Sequence, residues 1–302
     1  MASNIVLNKT NIINLNKGNN RLRYDFPTTI QIPKGSTIAM SGFHIYYSWF
    51  NISAANNNNF FQYKWFNNTN GDVTEIFDVV ISDGYYSIST LYEYFQKVMV
   101  SNGHYLELIE GGNFIYFIEF LTNSTYYSSE IRLSTVSNTY NFGFGDEPIT
   151  DKVKTPTGWV IPDTFKAPEI IIPSNNRFGE LLGFKSGTIS TPNENIQYQY
   201  SYLNNNGSPN LEPTSSILIT CNMIDNPYGV PSNILTSIAI PDTPFGSQIS
   251  SVGTDDVFSK IKEGTYRSLS IDLYNQDFVP LKVIDPNLLI VLSLKIKEEE
   301  EE

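Results

Sequence analysis

Side chains able to do chemistry are few in this 302-residue chain, and no set of them is spaced as a working site. There are two histidines, His44 and His104, and together with a carboxylate they could form a mononuclear zinc site, which takes three or four N, O or S ligands. They stand 60 positions apart with no spacing motif between them. His44 lies inside SGFHIYYSWF and His104 follows the Asn102-Gly103 pair, so the expectation is a strand histidine and a loop histidine. The one cysteine, Cys221, allows no disulfide within the chain and no cysteine-based zinc site. It shares an apolar strand face with Ile217, Ile219 and Met223, the usual setting of an inert core thiol.

Carboxylates fare no better. A glycoside-hydrolysing pair would need two acids facing each other across a cleft. Glu107 and Glu119 fall on or beside strand candidates, and Asp272 alternates onto the polar face of another, which suits a solvated strand. Asp277 in Asn-Gln-Asp and Asp285 in Asp-Pro-Asn carry turn chemistry. No G-x-S-x-G elbow singles out a serine nucleophile. The stretch FGFGDEP (142–148) has two glycines but neither the lysine nor the following helix of a phosphate-binding loop. Aromatic clusters such as HIYYSWF could stack sugars or bases, but suit a core or an interface equally well. The expected set of catalytic, cofactor-binding and metal-binding residues is therefore empty.

The elements that would hold these residues are mostly strands. Candidates occur at 21–26, 37–50, 60–66, 73–81, 114–121, 130–136, 217–224, 234–240, 266–274 and 288–297. Period-2 alternation puts Leu269, Ile271 and Leu273 on one face and Ser270 and Asp272 on the other. Ile290, Leu292, Leu294 and Ile296 share a face of the last strand, whose apolar start predicts a place in mid-sheet. One helix interrupts them: in YYSISTLYEYFQKVMVSNG, Ile88, Leu91, Tyr92, Phe95, Val98 and Met99 recur at helical spacing. Ser87 or Ser89 caps its start and Asn102-Gly103 ends it. A second short helix is expected within 176–183. From 137 to 213 Pro, Gly and Asn are frequent, which predicts long loops, a loop-rich insertion or an upper domain, within one domain spanning 1–302. Many antiparallel strands without βαβ alternation predict an all-β fold, a single jelly roll of two antiparallel sheets with one or two short helices.

Composition narrows the function. The residues are 40% hydrophobic and 14% aromatic, enough to fill a core, while only 17% are charged. The net charge of −12 and the absence of a basic stripe argue against nucleic-acid binding, which rests on phosphate contacts. The acidic run 298–302 reads as a solvated tail or an appended remnant. No segment has the ~20 apolar residues of a membrane span, and the N-terminus MASNIVLNKTNIINLN lacks the pattern of a signal peptide. The sequons Asn51-Ile-Ser53 and Asn123-Ser-Thr125 reflect abundant Asn and Ser/Thr. Strands rich in Tyr and Phe, with little chemistry, predict a protein that works through its surface, above all by self-association.

Five stretches, in order, carry a resemblance: SGFHIYYSWFNIS (41–53), DGYYSISTLYEYFQ (83–96), FGELLGF (178–184), the Tyr-x-x-Pro-Ser-Asn-Ile-Leu run at 228–235, and YRSLSIDLYNQDFVPLKVIDPNLLIVLSLKIK (266–297). Together they resemble the penton, or minor capsid, proteins of virophages and Polinton-type elements, with length and style nearest the mavirus-type pentons. The resemblance implies a jelly roll standing as a homopentamer at icosahedral fivefold vertices of the virion, beside trimers of a double-jelly-roll major capsid protein. It implies no enzyme, no cofactor and no membrane. The alternative, from the residues alone, is a carbohydrate-binding or host-attachment jelly roll.

Overall fold

The computed structural model describes residues 2–13, 20–138, 152–156, 158–190, 200–203, 208–212, 214–227, 229–252 and 257–297. The chain opens with strands β1 (Ala2–Asn8), β2 (Arg21–Ile32) and β3 (Thr37–Tyr46). Its middle carries β4 (Phe60–Phe66), β5 (Thr74–Val80), helix α1 (Ile88–Asn102), β6 (Leu106–Leu108), β7 (Phe114–Ile115), β8 (Ile118–Asn123) and β9 (Ser128–Leu133). Then come β10 (Val153–Lys154), β11 (Glu169–Ile172), helix α2 (Phe178–Leu182), β12 (Gly187–Ile189) and β13 (Tyr200–Leu203). The last third holds β14 (Ser216–Cys221), β15 (Ile234–Ala239), β16 (Gln248–Val252), β17 (Ser259–Lys260), β18 (Gly264–Asn275) and β19 (Leu289–Lys295).

Two compact units result: one from Met1–Phe50 with Glu212–Glu302, the other from Asn51–Leu211. The first has two antiparallel sheets, β1-β19-β3-β16 with β17 also on β3, and β15-β14-β18-β2. Its eight main strands pair in nested fashion: first with last (β1–β19), second with second-last (β2–β18), third with third-last (β3–β16), and the innermost two with each other (β14–β15). That pattern is a long hairpin folded across two sheets, the jelly roll expected from sequence. Alternation drives it: Leu269, Ile271 and Leu273 of β18 and Ile290, Leu292 and Leu294 of β19 are buried, while their neighbours face outward. β19 lies between β1 and β3, in mid-sheet as predicted. Each fully buried Ile or Leu stabilises the sandwich by roughly 1.5–3 kcal/mol.

β2 runs beyond the predicted 21–26, straight through Pro27. It is an edge strand, and its pairing jumps from Ile30–Tyr266 to Asp25–Ser268, so the missing proline N–H falls in a break of the ladder.

The nesting sorts the connections onto two ends of the sandwich. At one end Tyr47 N–H donates to the Ser247 carbonyl, Leu273 N–H to Asn20, and the N–H groups of Ile284 and Asp285 to Ser48 Oγ. The chain leaves this unit after β3 and re-enters before β14 at the same end. At the opposite end Ile261 N–H donates to the Ser36 carbonyl, Lys262 N–H to Met223, and Lys297 N–H to Ser36 Oγ.

The second unit holds three small sheets, β12-β11-β4-β5, β13-β9-β8 and β10-β6-β7, together with α1 and α2. It begins at Asn51, well before the expected 137–213 stretch, whose described residues supply β10 to β13. β11 pairs with β4 and β13 with β9, so this Pro- and Gly-rich segment is tied into sheets built from earlier sequence. α1 matches its prediction. Ser87 Oγ accepts from Thr90 N–H and Thr90 Oγ1 from Ser87 N–H, and Gly103 ends the helix at φ 72°. Ile88, Leu91, Phe95 and Met99 are buried, with Tyr92 and Val98 partly so. α2 lies inside the predicted 176–183 and requires Gly179, where any Cβ would collide with the Phe184 carbonyl.

Candidate functional site

The two histidines lie in different units. His44 sits in β3, opposite Ser250 of β16 and Leu289 of β19, as a strand histidine. His104 is the expected loop histidine, but a buried one. It is only 6% exposed, stacked on Trp65 (5.1 Å, 14°) and met edge-on by Phe77 at 4.4 Å. Its Nδ1 lies 2.7 Å from the Tyr63 hydroxyl, which also accepts from Asn102 Nδ2 at 2.8 Å. A neutral imidazole with its proton on Nε2 accepts the phenolic proton at Nδ1, while the tautomer with its proton on Nδ1 donates to the phenolic oxygen. Burial lowers the His104 pKa to about 4 and raises that of Tyr63 to about 12. The histidine is thus neutral at physiological pH and wedges three elements together. Its sequence context, a residue after a helix-ending glycine, gives no sign of this. The cage comes from β4 and β5, far away along the chain.

The carboxylates pair with cations rather than with each other. Glu107 meets Lys154 across β6 and β10 at 3.0 Å, Glu119 meets Arg132 across β8 and β9 at 3.4 Å, and Asp272 takes Arg21 across β18 and β2. Asp272 lies in the jelly-roll unit and the two glutamates in the other. Asp277 N–H donates to Asn275 Oδ1, and Asp285 Oδ1 accepts from Asn287 N–H, the turn roles read from sequence. Cys221 is buried on β14, and burial pushes its thiol up to about 11, so it stays protonated and a poor nucleophile. Among the described residues no three His, Cys, Asp or Glu side chains gather to hold a metal, and no helix is long and apolar enough to cross a membrane. FGFGDEP (142–148) and the acidic run 298–302 lie outside the described residues.

What the jelly-roll unit presents instead is apolar surface at its two ends. Phe245, Phe278, Val279 and Ile284 are exposed in the connections at the end where the chain leaves and re-enters. Phe245 packs there against Tyr47 (5.8 Å) and Phe50 (6.5 Å). At the opposite end Val230 is 91% exposed in the 222–233 loop, with Val252 and Val257 also exposed near that end. Asn226 N–H donates to the Ser232 carbonyl and Gly229 N–H to Asn226, which closes the loop into a compact tip. Single exposed aliphatics are ordinary on a protein surface; their concentration in the end connections is what suggests contact.

No protein-family model matches the chain. No curated protein matches it either. Among solved structures the chain is similar to a crystal structure of the mavirus penton protein, at 15% sequence identity and a TM-score of 0.45, with 98% of each chain covered.

Proposed function

We propose that this chain is a structural capsid protein, the penton subunit of a virophage-like icosahedral particle, and not an enzyme. The observation that carries the reading is the nested pairing of eight strands, with an entire second unit confined to the single connection between β3 and β14. Such a sandwich is a rigid wall whose end loops and one large insertion are free to meet neighbours. The ordered motifs at 41–53, 83–96, 178–184, 228–235 and 266–297 support it from the sequence side.

In this reading five copies close into a ring through head-to-tail contacts, and cyclic symmetry ends growth. Each contact buries more than roughly 1,000 Å² in total, anchored by aromatic side chains. Trimers of a double-jelly-roll major capsid protein surround the ring in the virion. Five copies carry five times −12, or −60 charges, so salt favours assembly by screening repulsion. The same charge disfavours contact with packaged DNA. The hydrolytic alternative loses ground because Glu107, Glu119 and Asp272 are each matched with a cation.

The test is the solution mass of the purified protein with particle images. A ring of about 170 kDa, five times 34.1 kDa, that persists or grows with added salt is expected. A protein that stays monomeric at high concentration, high salt and in the presence of the major capsid trimer would sink the proposal.

A further inference from the structure

The β8–β9 hairpin of the inserted unit ends in a tip with an unusual surface. Asn123 pairs with Ser128, and the four residues between them form the turn. Tyr126 and Tyr127 stand there 69% and 74% exposed. The other exposed aromatic side chains among the described residues each lean on a neighbouring ring: Phe114 on Tyr105 (4.3 Å), Phe245 on Tyr47 (5.8 Å) and Phe278 on Tyr274 (6.2 Å). The tip tyrosines show no such ring contact. Their exposure costs the free protein the hydrophobic gain those rings would have in a core.

The backbone adds a second observation. Tyr127 sits at φ 48°, in the left-handed region that favours glycine or asparagine and that bulky residues rarely enter. A plain turn would carry Gly at this position. A tyrosine held there against its backbone preference points to a role for the side chain.

The chemistry around the rings selects the partner. From 122 to 129 the sequence is TNSTYYSS, in which every side chain bears a hydroxyl or an amide and none is charged. Asn123 organises the base: its Oδ1 accepts from Tyr126 N–H at 3.2 Å and its Nδ2 donates to Glu130 Oε1 at 2.5 Å. Flat faces flanked by neutral hydroxyls match the alternating apolar and hydroxylated faces of a sugar. A phosphorylated, sulfated or sialylated ligand would find no cation at the tip and a chain of net charge −12. Size argues in the same direction. Two aromatic side chains cover roughly 300–500 Å², short of the ~800 Å² per partner of a stable protein–protein interface but ample for a few sugar rings.

We infer that the tip at 123–128 is a contact element for a neutral oligosaccharide, with Tyr126 and Tyr127 as the stacking platforms. The inference does not depend on the penton reading, because the hairpin belongs to the chain in any oligomeric state. A ring would multiply a weak single-site affinity by displaying five tips at once.

The experiment presents the full-length protein, coated densely on beads, to an array of uncharged and acidic glycans, and titrates any hit against the soluble chain. Retention of at least one uncharged glycan is expected, with Tyr126→Ala and Tyr127→Gly each weakening it at least tenfold. Tyr127→Gly relieves the positive φ, so its thermal midpoint should equal or exceed that of the parent, which separates lost contact from lost fold. Failure to retain any uncharged glycan, capture of acidic glycans alone, or a hit that both variants bind as well as the parent overturns the inference.

Discussion

The two units of this chain solve the packing problem differently. The jelly roll fills its interior with aliphatic side chains: Leu7, Leu22, Ile38, Ile217, Ile219, Leu269, Ile271, Ile290 and Leu292 are all fully buried. The inserted unit relies on rings. Trp65, Tyr63, Phe61, Phe66, Phe95, Phe117, Phe120, Phe178 and Phe184 are its largest fully buried side chains, whereas among the described residues of the sandwich the buried rings are Phe43, Tyr47 and Trp49. Two aligned sheets leave an even slot about 10 Å thick, which alternating branched residues fill. Three small sheets and a 15-residue helix share a core in which these large flat groups pack among aliphatics such as Leu91, Ile118 and Ile131. Phe61 shows how: it stacks on Phe178 at 4.6 Å and meets Phe95 edge-on at 5.1 Å, joining β4, α2 and α1. Regular pairing permits small, interchangeable core residues, whereas irregular architecture concentrates stability in a few large ones.

The sharpest way to break that contrast is Phe95→Ala. Loss of a ring at the meeting point of Phe61, Tyr63 and Phe120 should cost about 3–5 kcal/mol. Hydrogen exchange should localise the loss to 51–211, and a loss spread evenly over both units would contradict the division. Acid comes next. The His104 pKa falls from 6.5 in the unfolded chain to about 4 in the folded one, so between those values the unfolded state binds the extra proton. Stability is therefore full above about pH 6.5 and declines as the pH drops toward 4, by about 3 kcal/mol at the limit. Thermal midpoints recorded across that window should fall less steeply in His104→Gln than in the parent. An identical slope would show that other groups govern the acid response.

Smaller effects test the regular side. Ile271→Val removes one methylene from the sandwich and should cost about 0.5–1.5 kcal/mol by denaturant unfolding, far less than the ring deletion. Ser87→Ala, which removes the cap of α1, should cost about 1 kcal/mol, seen as faster amide exchange in the first helical turn. Least of all is Arg21→Ala. Half of the Arg21 side chain is exposed beside Asp272 at the edge of the sheet, and its loss should stay below about 1 kcal/mol. A larger loss would make this pair part of the sandwich's rigidity rather than of its solvated rim.

Legibility follows the same division. β18 and β19 could be read at once because alternation over seven or more residues has a single explanation, one face buried and one wet. α1 was equally plain, since Ile88, Leu91, Phe95 and Met99 fall at helical spacing between a serine cap and a glycine stop. β1 carries little local signal: within ASNIVLN only Ile5 and Leu7 alternate inward, and the strand forms because β19 supplies its partner. β11, four residues long, was hidden in a Pro- and Gly-rich stretch and exists through its pairing with β4 and β12. The His104 cage could not be seen, because no local pattern links it to Tyr63, Trp65 and Phe77.

The amino-acid sequence by itself determined the all-β character, the capped helix, the scarcity of catalytic groups and the polar face bearing Asp272. These depend on neighbours within one turn or one strand, where periodicity and side-chain chemistry act directly. Only the tertiary structure decided the nesting of first strand with last, the start of the inserted unit at Asn51, the neutral buried state of His104 and the exposure of Tyr126 and Tyr127. Those depend on which distant segments meet, and a residue's burial and protonation are set by what arrives against it rather than by what precedes it.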